Sequence, residues 1–427
     1  MSSTDSAPLP LEEIRVVELC HLIAGPYCCQ MLADEGAQVI KIEPPGGELT
    51  RHRDPVRHVC GEQVSAYYAA LNCNKQSIVL DLKNANGLGV LYELLETADV
   101  IVTNLRGSAL ERLGVHPKAL HERYPRLVIA CISGFGMDQA GDYTDRAGLA
   151  MVAEAMAGAT GLTRDHAGQP VWCGFALGDI AAGMTAHAAI LLALRNQQRF
   201  GIGKLIDLGL VECMLPMVSV ALGRVQADNA ENTSFAGSNG FHGVPYGAFP
   251  ASDGYVNIGV NHDSFWRRFC TAIDHPELGG DERYATYLER VKRQAEVHEI
   301  TEAFTRAHTR AEIVARLVEV DVPVASILSM DEVVSDTYLH ARGALRQVED
   351  GLGGTFTLPA CPGGFGTLSH RPRVPRLAEH RNEILATALG LAPEDITELE
   401  RSGAFGQPGA SSVEGKAADA TEPALPR

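Results

Sequence analysis

"IRVVELCHLIAGPYCCQMLADEGAQVIKIE", residues 14–43, contains two short β-rich runs on either side of a segment of helical length. Buried parallel strands are continuous apolar runs, and two parallel neighbours need a crossover, usually a helix, between them. The same alternation recurs along the first half of the chain, with further β-rich runs at 77–82, 99–105 and 126–133. The pattern predicts an α/β fold with a Rossmann-like parallel sheet and helices on both of its faces.

The composition is that of an ordinary globular protein. The chain has 36 basic and 53 acidic residues and a formal net charge of −17, which argues against a nucleic-acid partner. No C-x-x-C occurs among the ten cysteines, so we expect no metal site and no disulfide framework. The polar start of the chain is atypical of a signal peptide, and no apolar run reaches the ~20 residues of a membrane helix. We therefore expect a cytoplasmic protein with no membrane partner.

The chain is predicted to form two domains, the larger of which is interrupted. Residues 1–222 carry the alternating pattern and form the N-terminal part of a large Rossmann-like domain. A hairpin pattern and three helical patterns predict a small α+β domain over residues 223–330. Residues 331–406 are expected to return and complete the large domain. Residues 407–427 have almost no large apolar side chains and are expected to form a disordered tail.

One acidic residue, Asp179, lies at the head of the apolar segment GFALGDIAAGMTAHAAILLAL, residues 174–194. The pattern predicts a helix that is buried on all sides, with Asp179 as its N-cap. In one interpretation Asp179 is a structural cap. In the other it is a nucleophile, because a carboxylate at a helix N-terminus stays ionised and can attack an activated acyl group. Small neighbours such as Gly178 and Gly183 would let a substrate approach. The residues alone leave both interpretations open.

Several blocks of sequence are similar to those of a known family. In chain order they are AGPYCCQMLADEGAQVIKIEPPGG, LNCNKQSIVLDLKN, TNLRGSALERLGV, RLVIACISGFG, ALGDIAAGMTAHAAILLAL and LAEHRNEILATALGL. With these blocks the chain resembles the class III CoA-transferases, a family that also contains the α-methylacyl-CoA racemases. The resemblance implies a Rossmann-type large domain, a small domain and a homodimer of two interlocked rings.

The resemblance implies that Asp179 is the nucleophile and that coenzyme A, bound as an acyl-CoA, is the substrate. Asp179 would form an aspartyl–acyl anhydride and then an aspartyl-CoA thioester, from which CoA passes to a small carboxylic acid. No G-x-G-x-x-G follows the first strand, so no nicotinamide or flavin is expected. The family's CoA contacts fall on Leu22, Ala24, Leu80, Lys83, Asn104, Leu105 and Arg112. Lys83 and Arg112 are the expected phosphate partners, and the alternative for each is a solvated surface cation.

Departures from the family pattern bear on the substrate. Formyl-CoA transferase has an arginine after the residues KIE, where this chain has Pro44, so Arg51 and Arg53 are candidate replacements. The chain also lacks the lysine, tyrosine and glutamate of that enzyme's acyl site, which predicts a roomier and more apolar site; the residues here are Ala147, Leu149 and Ala150.

The loop GSNGFHGVPYG, residues 237–247, falls where family members carry a glycine-rich lid. The resemblance implies that Gly240 and Gly243 make the lid flexible and that His242 or Tyr246 lies near the acceptor. The alternative is an ordinary flexible linker.

Racemases of the family need a histidine base in the block before the aspartate, and the matching residue here is Leu149. Neither His166 nor His187 is a convincing substitute, and His187 is expected to be a core residue. Transferase is therefore favoured. An acyl-CoA racemase or isomerase, and CoA transfer within one dicarboxylate, remain alternatives. Loss of Asp179 would have indicated an inactive scaffold, but Asp179 is present. A hydrolase would need a base that activates water, and the sequence indicates no such base.

Overall fold

The computed structural model describes residues 8–59, 61–138, 141–165, 167–226, 243–363 and 372–406. The chain divides into two compact units. The first contains Met1–Glu154, Ala176–Pro216 and Tyr338–Arg427, and the second contains Ala155–Phe175 and Met217–Thr337. Compared with the predicted boundaries, the second unit also includes residues 155–175. The predicted tail, 407–427, lies outside the described residues.

The first unit is built on a six-stranded sheet in which all neighbouring strands are parallel, in the order β5-β2-β1-β6-β7-β8. The strands in this part of the chain are β1 (Arg15–Leu19), β2 (Gln38–Glu43), β3 (Val56–Val59), β4 (Glu62–Ser65), β5 (Gln76–Val79), β6 (Val100–Thr103), β7 (Val128–Ser133) and β8 (Leu205–Gly209). Strands β3 and β4 form a separate antiparallel pair. From β1 the chain builds the sheet outward to β2 and β5, and it then builds the other half from β6 to β8. The point where the strand order reverses therefore lies between β1 and β6. The predicted α/β class with a parallel sheet is confirmed.

The helices in this part of the chain are α1 (Ala24–Asp34), α2 (Ala66–Asn72), α3 (Ala85–Glu96), α4 (Gly107–Arg112), α5 (Pro117–Arg123), α6 (Ala150–Met156), α7 (Ala159–Leu162), α8 (Leu177–Phe200), α9 (Leu210–Met214) and α10 (Ser219–Arg224). Of these, α7 and α10 belong to the second unit. Short 3-10 helices occupy Leu49–His52, Gly141–Tyr143 and Leu215–Val218. Local capping explains where α2 and α3 begin, because the side chains of Ser65 and Asn84 accept hydrogen bonds from their first-turn amides.

The long helix α8 is buried on one side only, which corrects the prediction of a helix buried all round. Its buried positions repeat every three to four residues, from Gly178 to Gln197, whereas the side chains of Met184 and Leu192 are 51% and 73% exposed. Among the described helices, α8 alone is long and apolar enough, by length and composition, to cross a membrane. Its charge-free run, residues 180–194, is shorter than the ~20 residues of a membrane helix, as predicted. The helix contacts α1, β7 and α9. Core helices of globular proteins can be as long and as apolar as helices that cross a membrane.

The second unit has a three-stranded antiparallel sheet in the order β11-β10-β9. Its strands are β9 (Tyr246–Ala251), β10 (Gly254–Gly259) and β11 (Val324–Ser326), and its later helices are α11 (Asp263–Ala272), α12 (Tyr287–Lys292), α13 (Gln294–Arg306), α14 (Arg310–Glu319) and α15 (Met330–Ser335). A 3-10 helix spans Pro276–Gly279. Trp266 and Phe249 are fully buried in its core. The hairpin turn between β9 and β10 lies at residues 252–253.

The chain then returns to the first unit. The remaining elements are α16 (Thr337–Ala341), β12 (Leu345–Glu349), β13 (Thr355–Pro359), α17 (Arg381–Leu389) and α18 (Pro393–Arg401). Strands β12 and β13 form a hairpin, from which Arg346 makes an ion pair with Asp34 at the end of α1. Ile384, Leu385 and Phe405 join the same apolar core as the strands of the parallel sheet. The last part of the chain is therefore tied to the first unit by both charge and apolar burial.

Candidate active site

A cavity of about 330 Å³ lies at the carboxyl end of the parallel sheet, entirely within the first unit. The residues that follow β1 and β6 line it, as do the residues that follow β7 and β8. The lining includes His21, Leu22, Ala24, Asn104, Arg106, His116, Phe135, Gly136, Met137, Arg146, Leu149, Asp179 and Leu210. Ligands of open α/β sheets bind where the strand order reverses, and this cavity includes that point.

Asp179 reaches the cavity from the first turn of α8. The helix begins at Leu177 and its N-cap residue is Ala176, so Asp179 is the third helical residue and not the predicted N-cap. Part of the capping is supplied from another helix, because the Gly178 N–H donates a hydrogen bond to Glu154 Oε1 at 3.0 Å. The helix therefore begins three residues earlier than the sequence predicts, and the Asp179 carboxylate does not serve as its cap.

The small residues around Asp179 serve helix packing. A Cβ on Gly178 would lie 3.1 Å from the Ala150 carbonyl oxygen, and a Cβ on Gly183 would lie 2.8 Å from the Ala24 carbonyl oxygen. Both glycines therefore let a neighbouring helix approach α8 closely. The prediction that these two positions give clearance to a substrate is wrong, because protein backbone already occupies the space.

Burial raises the pKa of Asp179 to about 6, and the negative charge of Glu154 is the second cause. The helix N-terminus favours the ionised form, as predicted from the sequence, but the loss of solvation outweighs that effect. A carboxyl group with this pKa is still mainly ionised at pH 7, and it is a stronger base than a solvated aspartate. Burial also raises the pKa of Tyr67, with the charge of Asp179 as the second cause. Strongly shifted pKa values in a cavity are typical of functional groups.

The corner that follows β1 is held in a strained conformation. Asn104 binds the backbone of His21 twice, because its Oδ1 accepts from the His21 N–H at 2.9 Å and its Nδ2 donates to the His21 carbonyl at 2.7 Å. Leu22 has φ of 61°, unusual for a non-glycine residue. Its N–H donates to Oε1 of the buried Glu48 at 3.0 Å. Such strain persists only where neighbouring groups enforce it, which these two side chains do.

A second wall of the cavity is the loop that follows β7. The amides of Met137 and Asp138 both donate to the carboxylate of Asp207 on β8, at 2.8 to 3.0 Å. Gly134 allows the loop to approach Gly148, since a Cβ on it would lie 2.8 Å from the Gly148 Cα. The carboxylate and the glycine contact together determine where this wall lies.

The structure brings some of the predicted CoA contacts together and not others. Leu22, Ala24 and Asn104 line the cavity, whereas Leu80, Lys83, Leu105 and Arg112 are not among its lining residues. Leu80 is buried in the core, and the side chains of Lys83 and Arg112 are exposed. The arginines that do line the cavity are Arg106 and Arg146. Arg106 lies in the quoted block TNLRGS just after β6, so its position at a strand end could have indicated it.

The remaining candidates lie elsewhere. Arg51 is engaged by Glu43, through contacts at 2.6 and 2.7 Å, and Arg53 is exposed. His187 Nε2 lies 3.0 Å from Glu35 Oε2, which agrees with a packed residue that has a polar partner. Gly243 and Tyr246 belong to the second unit; the other lid candidates, Gly240 and His242, and also His166, lie outside the described residues. Leu149 lines the cavity with its side chain 55% exposed. Among the described residues, no group of three His, Cys, Asp or Glu side chains is arranged to hold a metal ion.

A mainly ionised carboxylate of raised pKa, in a cavity where a parallel sheet reverses its strand order, is typical of the active sites of α/β enzymes. The profile of the family described as CoA-transferase family III matches residues 11–381. The chain belongs to that family and is an enzyme of this class.

Curated relatives and solved structures agree with this assignment. The chain is 33% identical over 413 residues to succinyl-CoA–D-citramalate CoA-transferase of Chloroflexus aurantiacus, which covers 93% of this chain and 98% of the relative. It is 35% identical over 395 residues to succinate–glutarate CoA-transferase of Agrobacterium fabrum, covering 88% and 95% of the two chains. A CAIB/BAIF family protein from Brucella suis superposes with a TM-score of 0.79 at 31% identity, covering 90% of this chain and 100% of that one.

Proposed function

We propose that this enzyme moves CoA from succinyl-CoA or a similar acyl-CoA to a small carboxylic acid, through covalent intermediates on Asp179. The observation that carries the proposal is the half-buried Asp179 carboxylate, whose raised pKa of about 6 makes it a basic group inside the cavity. The names of the relatives support CoA transfer between carboxylic acids, with succinyl-CoA as the donor.

In the first half of the proposed reaction, an Asp179 oxygen attacks the thioester carbonyl of the donor. The C–S bond breaks, CoA leaves as a thiolate, and the donor acyl group remains as a mixed anhydride with Asp179. The thiolate then attacks the Asp179 carbonyl carbon, the anhydride C–O bond breaks, and the donor acid leaves as a carboxylate. Asp179 now carries CoA as a thioester.

In the second half, the acceptor carboxylate attacks the Asp179 thioester and releases CoA thiolate again. The thiolate attacks the acceptor carbonyl of the new anhydride, which yields acceptor-CoA and frees the Asp179 carboxylate. No proton is gained or lost overall, so no separate acid or base is required. Both intermediates are hydrolysable, which is the physical reason for a half-buried nucleophile.

Two features of the cavity support assignments within this mechanism. Arg106 and Arg146 are the arginines at the cavity, and guanidinium groups bind phosphates well, so they are proposed to bind the CoA phosphates. Leu149 and Leu210 line the same cavity with apolar side chains, which supports an apolar acyl site.

The decisive experiment traps the intermediates. The enzyme is incubated with succinyl-CoA, glutaryl-CoA and acetyl-CoA in turn, hydroxylamine is added, and the peptide with Asp179 is analysed by mass spectrometry. We expect an aspartyl hydroxamate with at least one donor, retained in the control Glu93→Ala and lost in Asp179→Ala. Glu93 is a suitable control because it is exposed on α3, away from the cavity.

Other outcomes would identify the alternatives. Exchange of a substrate α-proton with solvent deuterium, without an adduct at Asp179, would indicate a racemase. Steady release of free CoA in the absence of an acceptor acid would indicate a hydrolase. If CoA moves between the two carboxyls of one dicarboxylate and isotopically labelled free acid is never incorporated, the transfer is intramolecular.

We also propose that the enzyme is a homodimer, with the interlocked rings that its family resemblance implies. Supporting this, several large apolar side chains of the first unit are more than half exposed in the single chain: Met184, Leu192, Phe200 and Ile202. Exposed apolar surface of this kind is typical of protein interfaces. Native mass spectrometry should give twice the chain mass of 45.7 kDa; a monomer at micromolar concentration would contradict the proposal.

A further inference from the structure

Glu154 is a buried acidic side chain that the proposed mechanism does not use. It lies on α6, and only 2% of its surface is exposed. Its Oε1 accepts the hydrogen bond from the Gly178 N–H described above. Gly178 immediately precedes Asp179, and the first amides of a helix have no partner within the helix. The contact therefore ties α6 to the turn of α8 that carries the nucleophile.

Backbone packing keeps these two helices in place. A Cβ on Gly178 would lie 3.2 Å from the Ala150 Cα as well as 3.1 Å from the Ala150 carbonyl oxygen. The start of α6 and the start of α8 are therefore in close backbone contact. Together with the hydrogen bond from Gly178, this contact places the Glu154 carboxylate beside the first turn of α8.

We propose that Glu154 is a positioning residue for Asp179: it anchors the first turn of α8 and keeps a like charge beside the nucleophile, which makes Asp179 the more reactive toward a thioester. This inference rests on the proposed function. A carboxylate near a carboxylate disfavours ionisation, and a more basic carboxylate is a better nucleophile as long as it remains ionised.

The other titratable groups around Asp179 act differently. His21, Asp145 and Arg146 line the same cavity, and Tyr67 on α2 is close enough for Asp179 to affect its pKa. Only burial and the charge of Glu154 account for the raised pKa of Asp179, and burial is the larger cause. Removal of the Glu154 charge should therefore lower the pKa of Asp179 part of the way toward its ordinary value.

The test measures kcat/KM for succinyl-CoA between pH 4.5 and 9, because its acid limb reports the ionisation of the free enzyme. Glu154→Gln keeps the shape and an oxygen that can accept from Gly178, but it removes the charge. We expect its acid limb to lie at least ~0.5 pH unit below that of the unmodified enzyme. On the alkaline plateau, kcat/KM should fall by about twofold because the nucleophile is less basic.

Two comparison variants separate charge from shape. Glu154→Asp keeps the charge but shortens the side chain, so its acid limb should stay near that of the unmodified enzyme even if kcat falls. Glu93→Gln removes a charge from an exposed position and should match the unmodified enzyme throughout. If Glu154→Gln does not fold, the unmodified enzyme still tests the inference, because an acid limb at or below pH 4.5 contradicts it.

An unchanged acid limb in folded Glu154→Gln would overturn the role of Glu154. The hydroxylamine experiment on the same protein keeps this outcome apart from a failure of the proposed function. If Asp179 forms an adduct and the limb does not move, only the inference about Glu154 fails. If Asp179 forms no adduct with any donor, the proposed function itself fails.

Discussion

Asp179→Asn is expected to stabilise the folded protein at neutral pH while abolishing covalent transfer. The pKa of Asp179 is raised from 3.8 to about 6 in the folded protein, so the folded state binds this proton more tightly than the unfolded chain does. The Asp179 carboxyl group therefore makes its full contribution to the free energy of unfolding at acid pH, and this contribution is lost as the pH rises from about 4 to above 6. Asparagine has a similar shape and no charge, so it removes this penalty.

The size of the effect follows from the shift. About two pH units correspond to about 3 kcal/mol, and partial exposure of the side chain reduces this to about 2 kcal/mol. For a domain of this size, we expect the apparent unfolding midpoint to rise by about 5 °C at pH 8. The gain should fall to roughly half at pH 5, because the unmodified carboxyl is then protonated in the folded state.

The measurement is differential scanning calorimetry of the unmodified enzyme, Asp179→Asn and the control Glu93→Gln at pH 5 and pH 8. The control removes a charge from an exposed position and should leave the midpoint nearly unchanged. A midpoint of Asp179→Asn that is unchanged or lower at pH 8 would refute the reasoning. So would an equal gain at both pH values, because an ionisation effect must depend on pH.

Three further outcomes are expected. Gly183→Ala should destabilise the protein by about 1–3 kcal/mol in urea unfolding, because the new Cβ would lie 2.8 Å from a backbone carbonyl oxygen of α1. The control Gly89→Ala on α3, where a Cβ would have no atom within 4 Å, should stabilise the protein. Equal effects of the two substitutions would contradict the packing argument. Asp207→Asn weakens the acceptor for two loop amides, so the KM for succinyl-CoA should rise by about tenfold with no loss of folded structure by circular dichroism. Arg106→Gln should raise that KM by a similar factor and Lys83→Gln should not, because Arg106 lines the cavity and Lys83 does not. The reverse result would favour Lys83 as the phosphate partner.

Much of the fold can be predicted from local sequence patterns. The two β-rich runs within residues 14–43 contain β1 and β2, and the run 126–133 contains β7. Continuous apolar runs separated by helix-length segments are a local property, so they indicate a parallel sheet without knowledge of the partners. The burial of α8 was mispredicted, because an apolar helix face is buried only where another element covers it.

Part of the candidate site was also predicted from the sequence, and part of it was not. Asp179 was singled out as the lone carboxylate in an apolar segment and by family resemblance. The hydrogen bonds of Asn104 and Asp207 that fix the cavity walls were not predicted, because they join residues that are far apart in the chain. Asn104 binds a residue 83 positions away, and Asp207 binds amides about 70 positions away. No spacing in the sequence indicates such pairs.

The amino-acid sequence by itself determined the strand and helix pattern, the parallel-sheet class and Asp179 as the candidate nucleophile. Only the tertiary structure decided which cations line the cavity, where α8 begins and how basic Asp179 is. The physical reason is that desolvation and charge pairing depend on everything that surrounds a group in space. Glu154 lies 24 positions before Gly178 in the chain, and it acts beside Asp179 only because α6 packs against the first turn of α8.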